Sequence, residues 1–233
     1  MCIRDRDEAR GQLSQTIDSL VQYLDAEIDC EFSRIPLSTP LTDVLSHASD
    51  GPFGSKLKTE HYSEGGARVI RLQNVGEGFF DDGDRAYISL DYYKQLWRYQ
   101  VHADDIVVAG LGDETHPVGR AALIPSILGP AIHKADCFCL RSDNRQFLNT
   151  YLVYFLNSKA GRAQILARAQ GTTRLRINVA NLKTILVPTP SIVDQEVAVA
   201  RFNQLEDLVS ELDKLQTCLA NLSGRLINAF LGN

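Results

Sequence analysis

Six basic side chains, Lys159, Arg162, Arg168, Arg174, Arg176 and Lys183, fall in one stretch that holds no acid. Cations gathered in this way are the footprint of a surface that meets phosphates. Six such contacts predict that log K for DNA falls with log salt at a slope of about −5. Within the stretch, Gly171-Thr-Thr-Arg-Leu-Arg176 sets the hydroxyls of Thr172 and Thr173 beside the guanidiniums of Arg174 and Arg176. Earlier in the chain, Arg71 and Asn74 carry the groups that pair bidentately with guanine and adenine edges. For Arg71, an ion pair with an acid such as Glu77 accounts for the residue equally well. Gly51, Gly54, Gly65 and Gly66 let backbone approach a partner closely, and Ser55, Lys56 and Lys58 beside them suit phosphates.

Catalytic chemistry is poorly represented. The five histidines have no zinc spacing with one another. Cys137-x-Cys139, with His133 four residues before it, is the one local arrangement that resembles metal ligands. Alternate residues of a strand share a face and free cysteines pack in cores, so packed core is the reading. Gly110-Leu-Gly112 follows an apolar strand, but Thr115 and His116 replace the third glycine of a dinucleotide fingerprint. Pro117 then interrupts the helix that should hold the pyrophosphate. There is no Walker loop and no Gly-x-Ser-x-Gly elbow. These features predict a binder, with no catalytic or metal residues of its own.

The elements that must position these groups follow from the periodicity. The chain has 233 residues, a net charge of −5, 44% apolar and 23% charged residues, which is globular composition. The charge is uneven: 17 basic against 13 acidic residues lie between Gly51 and Pro190, and 7 against 16 lie outside. Five scattered cysteines form no disulfide framework, and no apolar run has the length of a membrane span, so the expected location is cytoplasmic. Residues 1–6 read back to a string like the transposon end used in sequencing-library preparation. They are expected to be a cloning-type scar on a fragment whose gene continues upstream.

Leu13, Ile17, Leu20 and Leu24 step by four and three, which predicts a helix over 7–29 that ends before Pro36. Arg68–Val75, Asp105–Ala109, Ala121–Ile124 and Cys137–Leu140 have the β-branched and apolar content of strands, and Phe147–Leu166 has helical spacing. The class is α+β: a twisted β-sheet with packed helices, followed by a long coiled-coil helix. Pro188-Thr-Pro190 stops this region and Ser191 is placed to cap a helix over Ile192–Leu231. Leu205, Leu212, Leu219 and Leu226 recur every seventh residue, and Leu208, Leu215, Leu222 and Ala229 fall three residues after each. That a/d pattern predicts one buried seam that docks a partner, either the 7–29 helix running antiparallel or another subunit. The expected divisions are 7–31 as a helix, 32–190 as the α+β domain and 191–233 as the coiled-coil helix.

Several motifs occur in a telling order: Gly51-Pro-Phe-Gly-Ser-Lys-Leu-Lys58, Val69-Ile-Arg-Leu-Gln-Asn-Val-Gly-Glu-Gly-Phe79, Val118-Gly-Arg-Ala-Ala-Leu-Ile-Pro125 and Tyr151-Leu-Val-Tyr-Phe-Leu-Asn-Ser158. They are followed by Gly171-Thr-Thr-Arg174 and Val187-Pro-Thr-Pro190. Over roughly residues 33 to 233 this set resembles the target-recognition domain and conserved helix of type I restriction-modification specificity subunits. The resemblance implies a non-catalytic subunit that binds double-stranded DNA at one half-site, in host defence against foreign DNA. It also implies docking of modification subunits that use S-adenosylmethionine and of restriction subunits that use ATP and Mg²⁺. Such subunits carry two recognition domains, and this chain has room for one. It is therefore either a fragment, with residues 7–31 the remnant of the central conserved helix, or a half-subunit that dimerises. The alternatives are the specificity region of a fused restriction-methyltransferase enzyme, and a coiled-coil assembly protein without DNA readout. The target sequence is not legible, because recognition depends on loop geometry and DNA shape as well as on side-chain type.

Overall fold

Apolar residues spaced by three and four build two long helices, α1 (Ile3–Arg34) and α7 (Ile192–Leu231). The computed structural model describes residues 3–143 and 146–231, with side chains over 8–143 and 146–222. Met1 and Cys2 of the expected scar lie outside the described residues, as do the side chains of Leu226 and Ala229. The chain divides into two units, residues 1–31 with 197–233, and residues 32–196.

In the first unit, Ile17 and Leu24 are buried and Leu13 and Leu20 are half-buried, so the stripe read from the sequence is the covered face of α1. Arg201 of α7 reaches Glu27 at 3.5 Å and Glu31 at 3.2 Å, which ties the C-terminal turns of α1 to the N-terminal part of α7. Within the chain only one flank of the α7 heptad seam is covered. Its covered positions include Ala198, Phe202, Leu205, Val209, Leu212 and Gln216. Leu208, Leu215, Leu219 and Leu222 are 45%, 56%, 42% and 50% exposed. A step of three residues stops about 60° short of a full turn and a step of four passes it by about 40°. The covered face takes the four-step line through Val209 and Gln216, and the three-step leucines point to solvent.

The second unit begins at Phe32, whose ring meets those of Tyr151 and Phe155 edge-on at 5.1 and 5.4 Å. Both rings belong to α4 (Asn149–Asn157), a helix whose residues 151–156 are all buried. The region read as one helix over Phe147–Leu166 is two, α4 and α5 (Lys159–Leu166). Ser158 leaves helical geometry, and its hydroxyl accepts the Gly161 amide to start α5. Only glycine fits at Gly161, because a Cβ there would lie 2.1 Å from the Phe155 carbonyl oxygen.

Two main sheets replace the expected single sheet. One has the order β3 (Tyr62–Ser63), β5 (Tyr87–Ile88), β4 (Ala67–Ile70), β10 (Ala131–His133), β6 (Gln100–Val101), with β4 and β10 parallel. The other has the order β2 (Leu45–Ser49), β11 (Cys137–Ser142), β7 (Ile106–Ala109), β9 (Ala121–Leu123), all antiparallel. The turn Lys134–Asp136 switches the chain from one sheet to the other, with Asp136 in the left-handed region at φ 66°. Two short ribbons pair β1 (Thr39–Pro40) with β13 (Leu186–Val187), and β8 (Leu111–Gly112) with β12 (Leu175–Arg176). The small helices α2 (Leu41–Val44), α3 (Leu90–Gln95) and α6 (Val179–Leu182) complete the described elements.

The strand expected over Arg68–Val75 ends at Ile70, and Leu72–Asn74 forms a tight 3₁₀ turn. The Asn74 carboxamide oxygen accepts the Arg71 amide at 2.9 Å, a local bond that competes with the sheet ladder. Ser191 caps α7 as expected: its hydroxyl accepts the Asp194 amide at 3.2 Å and donates to the Asp194 carboxylate at 2.6 Å.

Candidate functional site

Parallel pairing of β4 with β10 sends both strands out of the sheet at one edge, because Ile70 is in register with His133. The loop Arg71–Val75 and the turn Lys134–Asp136 therefore start side by side. Strand β7 ends at the same edge, since Ala109 faces Cys137 and the Gly110 amide donates to the Asp136 carbonyl at 2.7 Å. The β8–β12 ribbon then brings in the loop Gly171–Arg174. Four loops far apart in sequence meet at one edge of the recognition unit.

A cleft of about 470 Å³ opens among them, lined by Gln73, Asp81, Asp113, His116, Arg120 and Arg174. Gln73 and Arg174 are exposed, and their side chains have no partner among the described residues. Asp113 accepts hydrogen bonds from the Thr115 hydroxyl and amide and from the His116 amide, at 2.8 to 3.0 Å. The Thr115 hydroxyl and those two amides hold its carboxyl down at about 2. Beneath the cleft, Arg120 is 4% exposed, and burial lowers its affinity for a proton. The cleft thus offers a guanidinium donor, a carboxylate acceptor and an amide that can do both.

The residues singled out from the sequence separate into groups. Thr172, Thr173 and Arg174 lie exposed on the loop edge. Arg176 is also there but pairs with Asp136 at 2.7 Å. Arg71 is committed elsewhere: its guanidinium binds Asp84 through both its Nε, at 2.6 Å, and its Nη2. Asp84, and not Glu77, is its partner. Asn74 is fully buried, and its amide nitrogen donates to the carbonyls of Asp81 and Asp84 at 2.8 and 2.7 Å. A side chain buried and satisfied in this way is closed to an adenine edge, so the assignment of Asn74 to base contact is corrected. Gln73, the residue before it, faces the cleft in its place.

Gly54, Ser55, Lys56 and Lys58 do not join the cleft. Leu57 is buried with Val69, Ile88, Leu96 and Ile132, and it carries its neighbours toward α3. Lys56 accordingly donates to the Tyr99 hydroxyl at 3.0 Å, and Lys58 lies 3.6 Å from Glu60. The acid-free stretch is not one face either. Arg168 is spent on the Thr184 hydroxyl and the Gln164 carbonyl, both at 3.0 Å, and Arg162 is half-buried.

Cys137 and Cys139 pack in one core cluster with Ile70, Val107 and Ala122, and burial pushes both thiols up. Burial also pushes His133 down to about 4, and its ring hydrogen-bonds the Cys137 carbonyl and the Ser49 hydroxyl. Among the described residues no His, Cys, Asp and Glu cluster is arranged to hold a metal ion. Gly112 is required for packing: a Cβ would sit 2.1 Å from the Val118 amide nitrogen, and the segment continues as a ribbon with no helix for a pyrophosphate. Gln73, Asp113, His116 and Arg120 were not singled out from the sequence. An Asp-x-Thr-His turn and an arginine within an apolar run were the available signals.

Residues 41–217 match the family described as type I restriction modification DNA specificity domain. The chain is 24% identical over 155 residues to the StySPI type I restriction enzyme specificity subunit of Salmonella potsdam, covering 66% of this chain and 32% of that protein. Its fold is similar to the HsdS subunit from Thermoanaerobacter tengcongensis, with a TM-score of 0.60, 16% identity, and coverage of 97% of this chain and 54% of that one. It is also similar to a chain from a structure on complex assembly and conformational transition of the type I R-M system, with a TM-score of 0.68, 17% identity, and coverage of 99% and 55%. The chain thus spans about a third of that curated relative and about half of those solved chains. Among the described residues no helix is long and apolar enough to cross a membrane. With most of its length matched, from Leu41 to Thr217, the chain belongs to the family of type I restriction-modification DNA specificity domains.

Proposed function

We propose that this chain reads one half-site of a DNA target within a type I restriction-modification complex and contributes no catalytic group. The observation that carries the reading is the pair of unpartnered, exposed side chains, Gln73 and Arg174, at an edge where four loops converge. Arginine and glutamine are the side chains that recognise guanine and adenine in the major groove. S-adenosylmethionine, ATP and Mg²⁺ belong, in this reading, to the modification and restriction subunits.

The test uses a binding site selected by the full chain from randomised duplexes. Arg174→Ala should reduce the preference for that site over mixed-sequence DNA by about 1–3 kcal/mol. Lys56→Ala should weaken binding to both DNAs alike, since a phosphate contact carries no sequence information. If Arg174→Ala weakens both equally, Arg174 does not read bases.

The exposed leucines of α7 are the proposed docking surface for a modification subunit, alongside the half-buried Leu205 and Leu212. Leu208, Leu215, Leu219 and Leu222 are exposed apolar residues that fall on one side of α7. Leu215→Asp should leave the melting temperature of the chain almost unchanged, because the residue is 56% exposed. It should abolish co-purification with the modification subunit, since an unpaired carboxylate in an apolar interface costs several kcal/mol. Normal assembly of that variant would remove these leucines from the interface.

A further inference from the structure

Arg120 spends all of its nitrogens on main-chain carbonyls of two loops. Its Nε donates to Val75 at 2.6 Å and its Nη2 to Leu72 at 2.9 Å. Its Nη1 lies 3.2 Å from the Leu111 oxygen, 3.2 Å from that of His116 and 3.1 Å from that of Pro117. Leu72 and Val75 bracket Gln73, while Leu111, His116 and Pro117 bracket Asp113 and include His116. One planar fork therefore fixes the spacing between the two loops whose side chains line the cleft. No carboxylate forms an ion pair with Arg120 among the described residues, although the group is almost fully buried. A buried cation without a counter-ion is a costly way to join two loops that an apolar contact could join. The carboxylates of Asp113 and Glu77 act on its charge without a hydrogen bond to it.

The lining tells what the cleft accepts. A phosphate is disfavoured by the carboxylates of Asp113 and Asp81, the first of which is ionised above about pH 2. A base-pair edge in the major groove presents acceptors and donors together, and guanidinium, carboxamide and carboxylate are the groups that complement them. We infer that the cleft lined by Gln73, Asp113, His116 and Arg174 takes a base-pair edge, and that Arg120 is its positioning residue. The inference rests on the DNA-recognition reading above and deepens it. Arg120 does not touch the DNA; it holds the Leu72–Val75 and Leu111–Pro117 loops at the one separation that lets their side chains meet the same base pair.

Arg120→Lys is the informative variant. Lysine keeps the charge, but its single ammonium cannot span the five carbonyls that the guanidinium fork reaches. The full chain is used to select sites from a randomised duplex pool, below the onset of melting by circular dichroism. Wild type should enrich one motif. Arg120→Lys should bind mixed-sequence duplex within about twofold of wild type, because that term is set by charge. Its preference for the selected motif should fall by about tenfold or more. Gln73→Ala should relax the motif at one position. Leu96→Ala, which loosens the core cluster of Leu57, Val69, Ile88 and Ile132 to which neither loop contributes, should lower the melting temperature and keep the preference. Retention of the full preference by Arg120→Lys, equal loss of it in Leu96→Ala, or an unchanged motif in Gln73→Ala would each overturn the assignment. A wild-type chain that enriches no motif would instead remove the recognition reading itself, an outcome distinct from the other three.

Discussion

Arg141→Ala should lower the unfolding free energy by about 3–5 kcal/mol, the cost of leaving one member of a buried ion pair alone. The midpoint of thermal melting at neutral pH should fall by roughly 10 °C. Asp105 is 1% exposed, and both of its carboxylate oxygens receive Arg141 nitrogens at 2.6 Å. It also accepts the His102 amide at 2.8 Å. Without Arg141 the carboxylate stays in the core with one amide and the weak thiol donor of Cys139 to satisfy it. The reverse change, Asp105→Ala, should cost less, because the Arg141 side chain is 34% exposed and can turn its charge to water. Equal losses in Arg141→Ala and Asp105→Ala would show that the guanidinium acts through packing and not through charge.

Binding to duplex DNA should weaken on the order of 100-fold between 50 and 200 mM salt, a slope of about −4 in log K against log salt. This is shallower than the slope of about −5 that six phosphate contacts would give. The structure removes Arg168 and Arg176 from the count, since both are held internally, and half-buries Arg162. Lys159, Arg174 and Lys183 remain of the six, and Lys134 at the loop edge brings the count to four. Titration of a labelled duplex by fluorescence anisotropy at several salt concentrations measures the slope. A value near zero would leave no role for these cations, and one much steeper than −5 would require cations outside this edge.

The sequence by itself determined the local elements with strong periodicity. Leu13, Ile17, Leu20 and Leu24 define the covered line of α1, and Ser191 with the prolines before it fixes where α7 begins. The short apolar runs at Ile106–Ala109, Ala121–Leu123 and Cys137–Ser142 are strands because β-branched and apolar side chains suit a pleated surface buried on both faces. The order of degenerate motifs carried the family, since order survives where single residues do not.

Side-chain type could not determine use. Asn74 and Gln73 offer the same amide one residue apart, and only the 3₁₀ turn sends one into the core and the other to the cleft. Arg71 and Arg174 are chemically alike, but Asp84 occupies the first while the second has no partner among the described residues. On α7 the heptad marks an apolar side without saying which of its flanks the chain itself covers, and Leu208, Leu215 and Leu222 stand exposed. The cleft itself depends on four loops brought together by parallel pairing of β4 with β10 and by a ribbon linking residues more than sixty positions apart. Those contacts are non-local, and their stability comes from the packing of both sheets and from the carbonyls gathered by Arg120. Periodicity records only what each segment can bury, whereas the site is made by which segments bury each other.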